Sequence, residues 1–400
     1  MDAENVKEIV VSKELENWLK ETRRDFHMNP ETAYEEVRTT ERIAAILEEL
    51  GLEVRRFDDI TGVVGLLRSG QEGRTVALRA DIDALNLKEL NDVPYKSQTD
   101  GKMHACGHDA HTAIMLGVAK YLVESGLGSS LKGNVKFFFQ PAEEGGAGAK
   151  KMIDRGVMND PEVDAVMAGH MLPDMEVGQI GVIKGQSHAS ADRFKLKMTG
   201  LGGHGGRPNQ TRDPIVAAAY WITSVQAAAA RSIDPLDSAV ITVGSIHGGH
   251  ASNIVPREVS MSGTFRAIGE GVRERIIERL HDITGGIEKA FEVACDFVVD
   301  AGYPPTICDL EIAQFLYDTA ADLFGADNVQ YDRPSTGAED FAYFAEAKPG
   351  AIIRLGCGRP GQEFNPLHSP YFDIDERILG KGVQLFTAAV QRYLGTQGIK

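Results

Sequence analysis

Thr75-Val76-Ala77-Leu78-Arg79-Ala80-Asp81-Ile82-Asp83 is a short apolar run that ends in two acids. Residues 75–80 read as a buried strand. Outward from it, residues 110–124 read as a helix and residues 134–139 as a second strand, followed by Gln140-Pro141-Ala142-Glu143-Glu144-Gly145-Gly146. A third buried strand over residues 165–169 ends at His170. Upstream, the pattern predicts helices over residues 14–24 and 39–50, with Gly51 as a C-terminal stop, and strands over 54–57 and 63–67. Such alternation argues for an α/β layer structure with a mostly parallel central sheet flanked by helices.

The pattern changes near Ser187. Residues 194–198 alternate like a strand with one exposed face, and Asp213-Pro214 opens a helix with Asp as N-cap and Pro at the first helical position. Strands follow over 239–246 and 258–267. A helix over 272–290 is interrupted at Gly285-Gly286, and a last strand spans 291–299. The order β-α-β-β-α-β is that of a ferredoxin-like α+β domain. After Gly302 the first style resumes, with helices over 310–323 and 376–394. Residues 188–302 therefore read as a domain inserted into a discontinuous one made of 1–187 and 303–400.

Composition narrows the function. A chain of 400 residues is too long for one ordinary core, and 42% hydrophobic with 25% charged residues is a globular balance. The net charge of −16, without a Lys/Arg block, argues against a nucleic-acid partner. An anionic small substrate would need a local Arg or His. Cys106, Cys295, Cys308 and Cys357 are too few and scattered for a disulfide framework, which fits a reducing, cytoplasmic setting. Met1-Asp2-Ala3-Glu4-Asn5 shows no signal-peptide pattern. The most apolar stretch, residues 215–230, is shorter than the roughly 20 residues a membrane span needs. It reads as a buried or interface helix.

Chemistry concentrates in His104-Ala105-Cys106-Gly107-His108-Asp109. A thiolate and an imidazole two apart on a glycine-containing loop can turn toward one divalent ion. The helix that follows favours the thiolate, and Asp109 is a candidate cap for it. Asp81, Glu143, Glu144 and His170 stand at strand ends, where functional groups of open α/β sheets collect. Adjacent Glu143 and Glu144 point different ways along extended backbone, so one can bind metal while the other serves as general base. Which does which stays open on spacing alone. His368, on a Pro-bounded loop, reads by itself as an ordinary loop histidine.

Taken together, His104-Ala105-Cys106-Gly107-His108-Asp109-Ala110-His111, Gln140-Pro141-Ala142-Glu143-Glu144, Gly200-Leu201-Gly202-Gly203-His204-Gly205 and His368-Ser369-Pro370 resemble the M20 metallopeptidase family, in its amidohydrolase branch. Arg23-Arg24-Asp25-Phe26-His27 with Pro30-Glu31, and Gly337-Ala338-Glu339-Asp340-Phe341, are similar to the branch's terminal signatures. The resemblance runs along almost the whole chain. It implies two divalent metal ions per subunit, Zn²⁺ or Mn²⁺ with Co²⁺ or Ni²⁺ as alternatives, held by Cys106, His108, Glu144, His170 and His368. It makes Glu143 the general base and places Asp81 beside the metals as support. The inserted domain becomes a lid through which a homodimer forms. His204 becomes a group that polarises the scissile carbonyl, and Arg266 with Asn253 the site for a substrate carboxylate. Gly206-Arg207-Pro208-Asn209 departs from the family's usual small-x-Pro-His pattern.

The implied reaction is hydrolysis of the amide bond of an N-acyl amino acid. Two readings compete with it: an aminopeptidase or dipeptidase of the same fold, which would need a site for a free α-amino group, and a metal- or ligand-binding protein without catalysis, against which the Glu143-Glu144 pair argues.

Overall fold

A computed structural model describes residues 9–269 and 271–395. In chain order the elements are α1 (Lys13–Met28), α2 (Val37–Glu49), β1 (Glu53–Arg56), β2 (Val63–Arg68), β3 (Arg74–Asp81), α3 (His108–Glu124), β4 (Gly133–Gln140), α4 (Gly148–Asp154), β5 (Ala165–Glu176) and β6 (Ile180–Val182). Then come β7 (Gly185–His188), β8 (Ser190–Thr199), β9 (Gly203–His204), α5 (Pro214–Arg231), β10 (Ser238–Gly248), β11 (Ile254–Val255), β12 (Glu258–Ile268), α6 (Val272–Phe291) and β13 (Ala294–Tyr303). The chain ends with β14 (Thr306–Cys308), α7 (Leu310–Phe324), β15 (Val329–Tyr331), α8 (Phe341–Ala347), β16 (Gly350–Gly358) and α9 (Arg377–Gly395).

Two compact units result. One holds the residues up to Gly185, Ile307–Arg333 and those from Tyr343 onward; the other holds Gln186–Thr306 and Pro334–Ala342. The short segment 334–342 thus clusters with the second unit.

The first unit is built on an eight-stranded sheet of order β1-β2-β4-β3-β5-β16-β6-β15. Its centre, β4-β3-β5-β16, is parallel, and antiparallel pairs lie toward the edges. Strand β3 is buried at seven consecutive positions, from Thr75 to Asp81, because helices cover both faces of a parallel sheet. Helix α3 is buried on nearly every side. It packs against α1 and α9, closely enough that a Cβ on Gly117 would lie 2.5 Å from a Leu19 methyl and 2.7 Å from one of Val383.

The second unit is a four-stranded antiparallel sheet of order β10-β12-β8-β13 under α5 and α6. Phe194, Leu196, Trp221, Met261, Phe265 and Leu280 form its core. Asp213 caps α5 by accepting from Ile215 N. Helix α5 buries Ala217, Ala218, Trp221, Val225 and Ala228 on one side and exposes Ile215, Val216 and Tyr220 on the other. Among the described residues no helix is long and apolar enough to cross a membrane.

Several boundaries differ from the sequence reading. Gly285-Gly286 does not interrupt α6, which runs through both. Ile276, Leu280, Thr284 and Ile287 pin one face of the helix to the core, and that burial outweighs the roughly 1 kcal/mol that each glycine costs. The last strand of this unit starts at Ala294, after Glu292 leaves the helix with φ 53°. Strand β5 continues past Gly169 to Glu176, so His170 lies within it. Helix α3 starts at His108 with Gly107 at its N-cap, so Asp109 is not the cap.

Candidate metal centre

Asp81 ends β3, Glu143 and Glu144 follow β4, His170 lies within β5, and Cys106 and His108 flank the start of α3. Gly107 carries φ 86°, a left-handed conformation that glycine adopts without strain. A Cβ there would also lie 2.7 Å from Met171 Cγ. Gly107→Ala is therefore expected to lose at least the ~1–2 kcal/mol of a left-handed L residue and to loosen metal retention. Urea unfolding with metal counting checks this; an unshifted midpoint would show that the loop tolerates a side chain.

Past Gly107, the first turn of α3 carries His108. Its Nδ1 donates to Asp83 O at 2.8 Å, which leaves Nε2 facing the site, buried and without a hydrogen-bond partner. His170 is fixed the same way, with Nδ1 on Met171 O at 2.8 Å and Nε2 3.6 Å from Cys106 Sγ. His368 arrives from far along the chain because its N–H donates to Ala105 O at 2.8 Å, docking its loop on the metal-loop backbone. Its own φ is 63°. Its Nε2 lies 3.0 Å from Glu144 Oε1, an oxygen that is buried and without a properly directed hydrogen bond.

Donor atoms of Cys106, His108 and His170, of Cys106, Glu144 and His368, and of His108, Glu143 and Glu144 each lie within 4.8 Å of one another. The five residues expected as ligands and Glu143 thus share one place in the first unit. Asp81, at the end of β3, stands 3.6 Å from His108 Nε2. His111 Nδ1 donates to the other Asp81 oxygen at 2.5 Å, and Arg79 donates at 2.7 Å to the oxygen that faces His108.

The electrostatics favour a cation. Burial opposes charge on His108, yet Asp81, Asp83 and Cys106 hold its pKa well above the ordinary value. Burial likewise opposes charge on Asp81, but Arg79, His108 and His111 keep it well below the usual carboxylate range. Burial pushes the Cys106 thiol up despite His108 nearby; the helix start does not make it a thiolate, and a bound cation would. The close contacts of His368 with Cys106 and Glu144 raise its pKa to about 10. Buried N, O and S donors, among them His108 Nε2 without a hydrogen-bond partner, in a field that attracts positive charge fit divalent metal.

Apart from Asp109 as a candidate helix cap, the groups that stiffen this centre carry no assigned role in the sequence. His111 links Asp81 to Met171 N, from which its Nε2 accepts at 2.8 Å. Asp109 is fully buried, 2.7 Å from both Arg23 Nε and His27 Nδ1. His27 also reaches Glu89 at 3.3 Å. His104 is buried, and burial lowers its pKa to about 3. Spacing gives no sign of these pairs, because their members are up to 82 residues apart.

In the second unit, β9 and β11 pair His204 with Ile254, and Gly205 N donates to Asn253 O at 2.8 Å. His204 and Asn253 are therefore neighbours. His204 Nδ1 accepts from Gly206 N at 2.9 Å, so a neutral ring presents Nε2–H as donor. Arg266 lies on β12 and donates to Phe265 O. Among the described residues it forms no ion pair.

An α/β unit with a buried N, O and S donor cluster, together with a ferredoxin-like unit, defines a metal-dependent hydrolase of the metallopeptidase class. The chain belongs to Peptidase family M20/M25/M40, which it matches over residues 77–392. It is 38% identical over 387 residues to IAA-amino acid hydrolase ILR1-like 4 of Arabidopsis thaliana, covering 94% of this chain and 86% of that one. It is 39% identical over 382 residues to N-acetyl-L-cysteine deacetylase of Bacillus subtilis, covering 95% and 89%. A solved Bacillus subtilis structure described as a dinuclear metal-binding peptidase of the M20 family superposes with a TM-score of 0.84 at 34% identity, covering 96% and 100%.

Proposed function

We propose that this protein hydrolyses the amide bond of N-acyl amino acids, using two divalent metal ions held by Cys106, His108, Glu144, His170 and His368. The carrying observation is the convergence of those five side chains and Glu143, joined to the N-acyl amino acid hydrolases among the relatives. Bound metal would supply Lewis acidity and acidify the attacking water. Glu143 takes the proton of that water and delivers it to the leaving nitrogen. Asp81, clamped by Arg79 and His111, fixes the negative charge beside His108.

His204 donates its Nε2–H to the scissile carbonyl. Arg266 binds the substrate carboxylate; among the described residues its half-buried guanidinium forms no ion pair, and burial lowers its pKa despite Asp192, a cost that an anionic ligand relieves. Within the second unit, His204 and Asn253 adjoin the start of β12 and Arg266 lies near its end. Eight residues of strand separate Glu258 from Arg266, roughly 26 Å. One small substrate cannot span that, so the reading requires a homodimer in which His204 with Asn253 and Arg266 come from different chains, the second unit acting as lid and dimer contact.

The test is a panel of acetyl- and aromatic-acyl amino acids, their carboxamides and free dipeptides, with Zn²⁺, Mn²⁺, Co²⁺ or Ni²⁺. Blocked substrates with a free carboxylate should be preferred, and Arg266→Ala should erase the preference over carboxamides. Mixed His204→Ala and Arg266→Ala protomers should recover activity that neither has alone. Preference for free dipeptides would favour a peptidase, and absence of recovery would overturn the shared site.

A further inference from the structure

The turn that presents Glu143 and Glu144 is held by two buried acids from distant segments. Ala142, just before Glu143, has φ 54°, which an L residue adopts only when its surroundings impose it. Three successive N–H groups show what imposes it. Ala142 N donates to Glu36 Oε1 at 2.9 Å. Glu143 N and Glu144 N donate to the two oxygens of Asp83 at 3.0 and 2.9 Å. Each peptide plane of the turn is thereby fixed, and with it the direction of each Cα–Cβ bond.

Glu36 is itself locked. It is fully buried at the start of α2, and its Oε2 accepts from Thr61 Oγ1 at 2.5 Å. Glu31 caps the same helix start, accepting from Arg38 N and Thr39 N at 3.1 and 2.7 Å. Among the described residues Glu36 forms no ion pair, and burial raises its pKa to about 7. A buried acid without a cation is a poor stabiliser of a fold. Its value lies in the acceptor it offers to Ala142.

We infer that Glu36 is a positioning residue for the hydrolytic reaction, holding the Ala142 turn in the left-handed form that aims Glu143 at the attacking water. This rests on the reading of Glu143 as general base. The fixed end of β4, the left-handed Ala142 and the three amide contacts leave the pair one arrangement. Loss of the Glu36 contact frees the Pro141–Ala142 peptide and lets Ala142 relax, so that Glu143 is anchored from one side only, by Asp83, while Glu144 keeps its own Asp83 contact.

The experiment compares Glu36→Ala, Glu36→Gln and Glu143→Gln in metal-loaded protein. Glu36→Ala should lower kcat about 10- to 100-fold with KM and metal content unchanged, and should speed amide exchange in a peptide covering residues 140–146. Glu36→Gln keeps an oxygen for Ala142 N–H and should recover most of both. Wild-type kcat in Glu36→Ala, unchanged exchange in that peptide, or a Gln variant no better than Ala would overturn the inference. If Glu36→Ala does not fold, Thr61→Val removes the hydroxyl that orients Glu36 and should show the same pairing of lower kcat with faster exchange; neither change would also overturn it. Normal turnover in Glu143→Gln would defeat the general-base reading, whereas the exchange result bears on Glu36 alone.

Discussion

Glu143→Gln should lower kcat about 10²- to 10⁴-fold, the range of a lost general base, while the metal content stays unchanged. The amide keeps the shape and the hydrogen-bonding span of the carboxylate but cannot take a proton from water. The backbone that presents it is unaffected, since Glu143 N donates to Asp83 irrespective of the side chain. Glu144→Gln should behave differently. Its Oε1 is buried beside His368 Nε2, within the donor group that includes Cys106, so its loss should lower metal content first. Metal counting beside steady-state kinetics separates the two. Near-normal turnover in Glu143→Gln, or metal loss from Glu143→Gln with retention in Glu144→Gln, would reverse the assignment.

Asp109→Ala should destabilise the fold by about 3–5 kcal/mol, the usual consequence of removing one member of a buried ion pair. Arg23 is fully buried, with its Nε 2.7 Å from Asp109 Oδ2, and its remaining acids, Asp373 and Glu376, are farther away at 3.5 and 3.6 Å. His27 loses the nearer of its two acids as well. Against the ~5–15 kcal/mol that stabilises a typical protein, this is a large share. Because Asp109 follows His108 in the first turn of α3, metal retention should weaken too. Urea unfolding with and without a chelator measures both effects. A loss below about 0.5 kcal/mol, the scale of an ordinary surface change, would mean that the Arg23 charge is satisfied by Asp373 and Glu376 alone.

The legible parts of the site were those written in local order. Cys106-Gly107-His108 announces itself because glycine lets neighbouring ligands turn together, and Glu143-Glu144 because a polar pair ends an apolar strand. The roles of the pair came from family resemblance, since spacing treats both glutamates alike. Asp83 and Glu36 carried no comparable signal, and the motifs that hold His111, Asp109, Arg23 and His27 do not say what these side chains touch. Each matters through a partner on another segment: Glu36 through Ala142, 106 residues on, and His27 through Asp109, 82 residues on. The glycine pair in α6 does not break the helix because local propensity is weaker than packing on one face.

The sequence by itself determined the alternation of apolar strands and helices, the change of style near Ser187 and the chemical types gathered at strand ends. These follow from periodicity and composition, which are local properties. Tertiary structure alone decided that His368 docks on Ala105, that His108 turns Nε2 inward because Asp83 takes its Nδ1, and that Glu36 holds the turn before Glu143. Those outcomes depend on hydrogen bonds between groups remote in the chain, which exist only once the sheet has brought their backbones together.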